Sequence, residues 1–215
     1  WQHLMSLDYH LQDFDNLYAH SKEVVELFPN ILEAYQYFTV AAYLKSSFVE
    51  VVESVETAFL LAIDDQQVMV DLLRMQGDAY HALHKYEQSD SVYDYVLYKD
   101  AEYISVLNSY SYSLSARGER LDYALELSSR LIKLAYDNPS YIDTHAWALY
   151  KNGKFEEALE YINKAISIMG DYSVFYDHRG DILYSLKRVD EAVGDWQKAL
   201  ELDPENESLP LTIKN

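Results

Sequence analysis

The stretch Pro139–Asn206 contains one pattern twice: PSYIDTHAWALYKNGKFEEALEYINKAISIMGDY from Pro139 to Tyr172, then SVFYDHRGDILYSLKRVDEAVGDWQKALELDPEN from Ser173 to Asn206. The second copy follows the first at an offset of 34 residues, 173 minus 139. Each copy has the apolar spacing of a helix of about a dozen residues, a short break, and a second helix. A period of this length with two helices per unit predicts a stacked array of hairpins, without one central core.

Small residues recur where the two helices of each copy would cross. Ala146 of the first copy corresponds to Gly180 of the second, and Ala158 corresponds to Ala192. Two helix axes approach to about 8–10 Å only where the side chains between them are small. We therefore expect the second helix of each hairpin to nest against the first at these positions.

The second copy ends in Trp196-Gln-Lys-Ala-Leu-Glu-Leu-Asp-Pro204, and this whole pattern resembles the tetratricopeptide repeat. The resemblance implies an all-α fold, a right-handed α-solenoid of stacked helix-turn-helix repeats. It also implies a non-catalytic protein–protein interaction scaffold, here a fragment of a bacterial tetratricopeptide repeat protein.

The period divides the whole chain into repeats of one solenoid domain. We expect a truncated first repeat at 1–31, a divergent repeat at 32–69, full repeats at 70–103, 104–138, 139–172 and 173–206, and a C-terminal tail or cap at 207–215. Four additional residues within Asp64–Val70 make this the most irregular joint. Because the chain begins at Trp1 without an initiator Met, in a pattern that predicts the interior of a helix, we interpret it as part of a longer protein.

The composition excludes some partners. The net charge of −19 would repel nucleic-acid phosphates, so we expect no nucleic-acid binding. No run of 18 apolar residues occurs, and we expect no membrane insertion in this fragment. Basic proteins or peptides would be attracted to the chain. The same net charge is equally consistent with acidic helix faces whose only role is to keep the repeat array in solution.

Residues that carry catalytic or metal chemistry do not form a recognisable motif. His81 and His84 share one helix face, but a zinc site needs three or four ligands, and no cysteine is present. The triplet Asp177-His178-Arg179 lies inside a repeat helix without other kinase motifs. No phosphate-binding loop and no GxSxG turn occurs. We expect no enzyme activity and no cofactor.

The resemblance implies instead a groove that is lined by the first helices and binds extended peptides. Its positions correspond here to Asn108, Tyr112, Asp143, Trp147, Tyr150, Asp177, Asp181 and Tyr184. Tyr and Trp are favoured at interfaces because they bury a large area at low entropic cost. The alternative is that these aromatic side chains pack between neighbouring repeats.

The kind of partner follows from the same positions. Chaperone-binding members of the family clamp a carboxylate with Lys and Asn, but only Asn108 matches that pattern here. A basic or Tyr/Pro-containing segment fits the acidic lining better. The alternative function is a structural spacer or self-associating module, a possible homo-oligomer, within a larger envelope-associated protein. A periplasmic or envelope location is favoured over a cytoplasmic one by that analogy alone.

Overall fold

A computed structural model describes residues 1–62 and 66–204, and the side chains of 66–68 are not described. The tail predicted at 207–215 and residues 64 and 65 of the predicted irregular joint therefore lie outside the described residues. The described residues form twelve α-helices and no strand: α1 Gln2–His10, α2 Phe14–Leu27, α3 Leu32–Leu44, α4 Phe48–Leu61, α5 Gln66–Ala82, α6 Tyr86–Lys99, α7 Ile104–Arg117, α8 Leu121–Leu134, α9 Pro139–Lys151, α10 Phe155–Ile168, α11 Ser173–Ser185 and α12 Val189–Leu202. Among these helices, none combines the length and apolar character needed to cross a membrane.

The chain divides into two compact units, unit 1 at Trp1–Tyr103 and unit 2 at Ile104–Asn215. Each unit contains three helical hairpins. Within each unit the second helix of a hairpin packs on its own first helix and on the first helix of the next hairpin. Successive first helices are also in contact, α1 with α3 and α3 with α5 in unit 1, and α7 with α9 and α9 with α11 in unit 2. The repeat boundaries inferred from the sequence remain predictions.

The core of unit 2 is built from the small and large positions of the repeat. Ala146, Ala158 and Ala165 are fully buried together with Ile142 and Ile162. The alanines allow the helices to approach, and the larger side chains fill the space that remains. The interior therefore continues from one hairpin to the next, as expected for a repeat array.

Two glycines each make room for an aromatic ring from the second helix. A Cβ atom on Gly180 would lie 2.4 Å from Nε1 of Trp196, and one on Gly77 would lie 2.6 Å from Cε1 of Tyr93. In each case the aromatic side chain donates a hydrogen bond to the aspartate that follows the glycine. The Trp196 indole donates to Asp181 at 3.2 Å, and the Tyr93 hydroxyl donates to Asp78 at 2.5 Å. These glycines therefore position a carboxylate as well as a helix crossing.

A residue with left-handed backbone conformation ends the first helix of every described hairpin. Glycine occupies this position at Gly118 and Gly153, whose φ angles are 71° and 77°. Side-chain-bearing residues occupy it elsewhere: Gln12, Ser46, His84 and Lys187, with φ angles of 57° to 64°. Left-handed conformation is unstrained for glycine and costs about 1–2 kcal/mol for other residues.

Replacing Lys187 by glycine should therefore stabilise unit 2. We expect the free energy of unfolding to rise by about 0.5–1 kcal/mol, since relief of the left-handed strain is partly offset by the larger backbone entropy of glycine in the unfolded chain. Equilibrium urea denaturation followed by circular dichroism measures the change. Gly153→Ala is the matched control and should be destabilising. Equal stability of Lys187→Gly and the parent chain would contradict the prediction.

Candidate binding surface of unit 2

The eight residues predicted to line a groove all lie on α7, α9 and α11, which are successive first helices of unit 2. We call the face that they form the first-helix surface. Its members are Asn108, Tyr112, Asp143, Trp147, Tyr150, Asp177, Asp181 and Tyr184. Adjacent first helices bring residues about 35 positions apart in sequence into contact, which no single helix can do.

Equivalent hydrogen bonds join the first helices at the same level. Thr144, the sixth residue of α9, donates to Oδ1 of Asn108, the fifth residue of α7, at 2.8 Å. His178, the sixth residue of α11, contacts Oδ1 of Asp143, the fifth residue of α9, through Nδ1 at 2.7 Å. The first contact is between neutral groups, and the second has the geometry of an ion pair.

The His178–Asp143 contact is almost closed to solvent, with 8% of each side chain exposed. Burial alone would lower the pKa of His178, but the charge and hydrogen bond of Asp143, with the charges of Asp177 and Asp181, raise it above 6.5. These interactions favour the protonated imidazole, which donates Nδ1–H to the carboxylate. A charged pair of this kind holds α11 against α9.

Aromatic rings surround the imidazole. Trp147 stacks on His178 with ring centroids 4.1 Å apart and an interplanar angle of 18°, and Tyr112 lies 6.4 Å away. Tyr150 is 4.9 Å from Trp147, and Nζ of Lys151 lies 5.2 Å from the Trp147 ring. Stacking of an indole on a protonated imidazole has the character of a cation–π contact. The proton on His178 therefore strengthens the stack as well as the ion pair.

Two buried polar atoms within the described residues make no hydrogen bond, and both belong to first helices of unit 2. They are the hydroxyl of Ser115 on α7 and Nε1 of Trp147 on α9. A buried donor without an acceptor costs about 1–3 kcal/mol. In its resting position the Trp147 ring packs against neighbouring rings, whereas its N–H group has no acceptor.

A second cluster lies further along α11. Asp181 accepts the hydrogen bond from Trp196, and the Tyr184 ring lies 5.7 Å from the Trp196 ring. Burial and the neighbouring charge of Asp177 raise the pKa of Asp181, whereas His178 and Lys151 oppose that shift. The Tyr184 side chain is 53% exposed. Asp181 is thus an acidic group partly withdrawn from water, beside an exposed aromatic ring.

The structure sorts the predicted residues into three groups. Asp143, Trp147 and Tyr112 lie around His178, and Tyr150 lies beside Trp147. Asp177 and Asp181 with Tyr184 continue along α11. Asn108 is engaged by Thr144. His178 was not among the residues predicted to line the groove, and in the sequence it is notable only within the triplet Asp177-His178-Arg179. His178 occupies the same position in α11 as Thr144 in α9. Each of the two contacts the fifth residue of the preceding first helix, and this shared position is the signal that identifies His178.

The corresponding face of unit 1 is occupied by its own side chains. Asp78 accepts hydrogen bonds from Tyr43 at 2.9 Å, from Arg74 at 2.6 Å and from Tyr93. His84 contacts the Tyr86 hydroxyl through Nδ1 at 2.8 Å. Within the described residues, no three metal-ligating side chains of His, Cys, Asp or Glu converge.

Comparisons with known proteins identify the repeat. Residues 142–171 and 174–206 each match a tetratricopeptide repeat family model. The chain is 33% identical over 86 residues to the small glutamine-rich tetratricopeptide repeat-containing protein 2 of Mycosarcoma maydis. That alignment covers 40% of this chain and 24% of the fungal protein, so the chain spans about a quarter of that relative's length.

Solved structures share the fold at low sequence identity. MamA of Desulfovibrio magneticus, from residue 41 to its end, is 16% identical with a TM-score of 0.69, covering 82% of this chain and 97% of that one. YrrB, a tetratricopeptide repeat protein with an unusual peptide-binding site, is 14% identical with a TM-score of 0.66, covering 86% and 93%. The predicted fold class, an all-α solenoid of helix-turn-helix repeats, is confirmed. Residues 142–171 and 174–206 of this chain are therefore two tetratricopeptide repeats.

Proposed function

We propose that the chain is an interaction scaffold that binds a protein or peptide segment on the first-helix surface of unit 2. The observation that carries the proposal is the combination of exposed rings and acidic groups on α7, α9 and α11. Tyr112 is 39% exposed and Tyr184 is 53% exposed. Each ring also lies beside another ring, His178 for Tyr112 and Trp196 for Tyr184. Rings that are already ordered lose little entropy when a partner covers them.

The partner proposed is a basic segment that contains Tyr or Pro. Asp177 and Asp181 lie one helical turn apart on α11, and the chain as a whole carries a net charge of −19. Asp143 belongs to the same surface, and its carboxylate contacts His178. We assign attraction of the partner to Asp177 and Asp181, because these two carboxylates lie on the same face of α11. We assign anchoring to Tyr112, Trp147, Tyr150 and Tyr184. The positive ends of Arg or Lys side chains suit both carboxylates and ring faces.

The test is a charge reversal at the two aspartates. The double variant Asp177→Lys with Asp181→Lys should bind a fluorescent (Arg-Pro-Tyr)₃ peptide with an association rate lowered roughly tenfold at low salt, because opposite charges steer the encounter. Stopped-flow fluorescence at neutral pH and several salt concentrations measures the rate. The difference from the parent chain should shrink as salt rises.

A matched control carries the same change of charge on a different face. Glu156 and Glu160 are exposed residues of α10, a second helix of the same unit. The variant Glu156→Lys with Glu160→Lys should associate at close to the parent rate. Tight binding by the first variant at low salt, or an equal loss in both variants, would rule out the proposed surface.

A further inference from the structure

We propose that the proton on His178 holds Trp147 in its resting position, and that a cationic partner binds the first-helix surface in exchange for that proton. The inference rests on the proposed function and adds a regulatory property to the same surface. His178 would act as a positioning residue: it acts through Trp147 and Asp143 and is itself buried, with 6% of the residue exposed.

The His178 imidazole contacts both an acidic and an aromatic residue of the first-helix surface. Its Nδ1 lies 2.7 Å from Asp143, and its face is stacked on Trp147 at 4.1 Å. Loss of the proton removes the charge from both contacts at once. The ion pair becomes a contact between a neutral ring and a carboxylate, and the cation–π part of the stack disappears.

The charges around His178 come from three first helices. Asp143 on α9 and Asp177 and Asp181 on α11 favour the protonated ring and together raise the pKa of His178 against the effect of its burial. Tyr112 of α7 lies over the ring without a charge at neutral pH. Lys151 of α9 acts on the same site by its effect on Asp181.

The helices on the other side of α11 direct their polar groups elsewhere. Asn163 of α10 and Asp195 of α12 accept hydrogen bonds from Arg179, at 2.9 Å and at 2.6 and 2.7 Å. His178 is therefore governed by the groups of the first-helix surface, which are also the groups that a partner would contact.

The state of Trp147 gives the direction of the coupling. In its resting position the indole N–H is buried and has no acceptor. Deprotonation of His178 weakens the contact that keeps the indole there and leaves the Asp143 charge uncompensated. A cationic segment gains from both changes, because its side chains meet an additional negative charge and one of its backbone carbonyls can accept a hydrogen bond from the indole. By linkage, the bound cation must lower the affinity of His178 for its proton.

The experiment combines titration of the free chain with binding at several pH values. Nuclear magnetic resonance of the histidine Cε1–H groups should show that His178 titrates above its ordinary pKa of 6.5. The Trp147 indole resonance should move with the same midpoint. Binding of (Arg-Pro-Tyr)₃, whose arginines stay charged throughout, should tighten by about fivefold as pH rises across that midpoint, the scale of one partly screened charge pair. Calorimetry in buffers of different ionisation heat should show net proton release on binding.

Variants separate a titrating role from a merely structural one. His178→Gln keeps an N–H donor for Asp143 but cannot carry the proton, so its affinity should no longer depend on pH between pH 6.5 and 9. Asp143→Asn should move the His178 titration to lower pH and shift the pH profile of binding with it. His3→Gln, at an exposed histidine of α1, is the control and should keep the parent profile.

The outcomes distinguish this inference from the function on which it rests. A His178 that titrates at or below pH 6.5, or a parent affinity for the peptide that is independent of pH, would overturn the inference and leave the binding surface intact. A peptide that fails to bind the parent chain at any pH would overturn the proposed basic partner and the inference together. A pH profile that persists in His178→Gln would assign the coupling to another group and overturn the role of His178.

Discussion

Replacing Asp143 by alanine is expected to lower the free energy of unfolding of unit 2 by about 3 kcal/mol near pH 6, the scale of a buried pair that loses one partner. The reason is that His178, with 8% of its side chain exposed, would keep neither its counter-ion nor its hydrogen-bond acceptor. Equilibrium denaturation monitored by circular dichroism, together with amide hydrogen exchange in α9 and α11, measures the loss.

The size of this loss should depend on pH, and its sign follows from the raised pKa of His178. A histidine whose pKa is higher in the folded than in the unfolded chain stabilises the fold fully below about pH 6.5, the unfolded value. That contribution disappears as pH rises through the folded value. The destabilisation by Asp143→Ala should therefore be largest in mildly acidic solution and smaller near pH 9.

His145 offers an internal comparison. It is also buried on α9, where it contacts the Ser128 hydroxyl, and burial lowers its pKa to about 4.

The double variant Asp143→Leu with His178→Leu should recover much of the stability lost in Asp143→Ala, since apolar pairs of similar volume often replace buried ion pairs at little cost. An Asp143→Ala chain as stable near pH 6 as the parent chain would show that the pair contributes no stabilisation.

Substitution of Gly180 by valine is expected to destabilise unit 2 by about 3 kcal/mol, at the upper end of the usual cost of overpacking. A Cβ atom at this position would lie 2.4 and 2.5 Å from two atoms of the Trp196 ring. The ring cannot withdraw easily, because it contacts Tyr184 and donates to Asp181. Urea denaturation measures the loss, and tryptophan fluorescence reports the displaced indole.

Gly194 provides the matched control for this prediction. It lies on α12, and a Cβ atom added there meets nothing within 4 Å. Gly194→Ala should therefore stabilise the helix by about 0.5–1 kcal/mol, because alanine has the higher helix propensity. Gly180→Ala should fall between the two, with the gain in propensity opposing the clash. A Gly180→Val chain as stable as the parent would contradict the observed helix crossing.

The periodic features of this molecule were accessible from the sequence. A 34-residue offset, small residues at helix crossings and glycine in the turns each reflect a steric requirement that every repeat must meet separately. Gly153 and Gly180 could thus be assigned a turn and a crossing without coordinates. The left-handed conformation of Lys187 could not be assigned from its residue type, because lysine has no preference for it.

The chemistry of the first-helix surface was only partly accessible. Tyr184 and Tyr112 were selected by position, and both are exposed. Asp143 was selected as a source of charge for a partner, but its carboxylate pairs with His178. Sequence position fixes which face a residue occupies, whereas the pairing of two side chains depends on distances across a helix junction, which no single repeat encodes.

The hydrogen bonds at the α7–α9 and α9–α11 junctions use the same two positions, Asn108 with Thr144 and Asp143 with His178. Each hydrogen bond joins the fifth residue of one first helix to the sixth residue of the next, so its chemical character is decided by two side chains. Two substitutions are therefore enough to make one junction of such a chain sensitive to pH while the neighbouring junction stays insensitive. Neighbouring repeats can thus differ in their side-chain chemistry while the fold of each repeat stays the same.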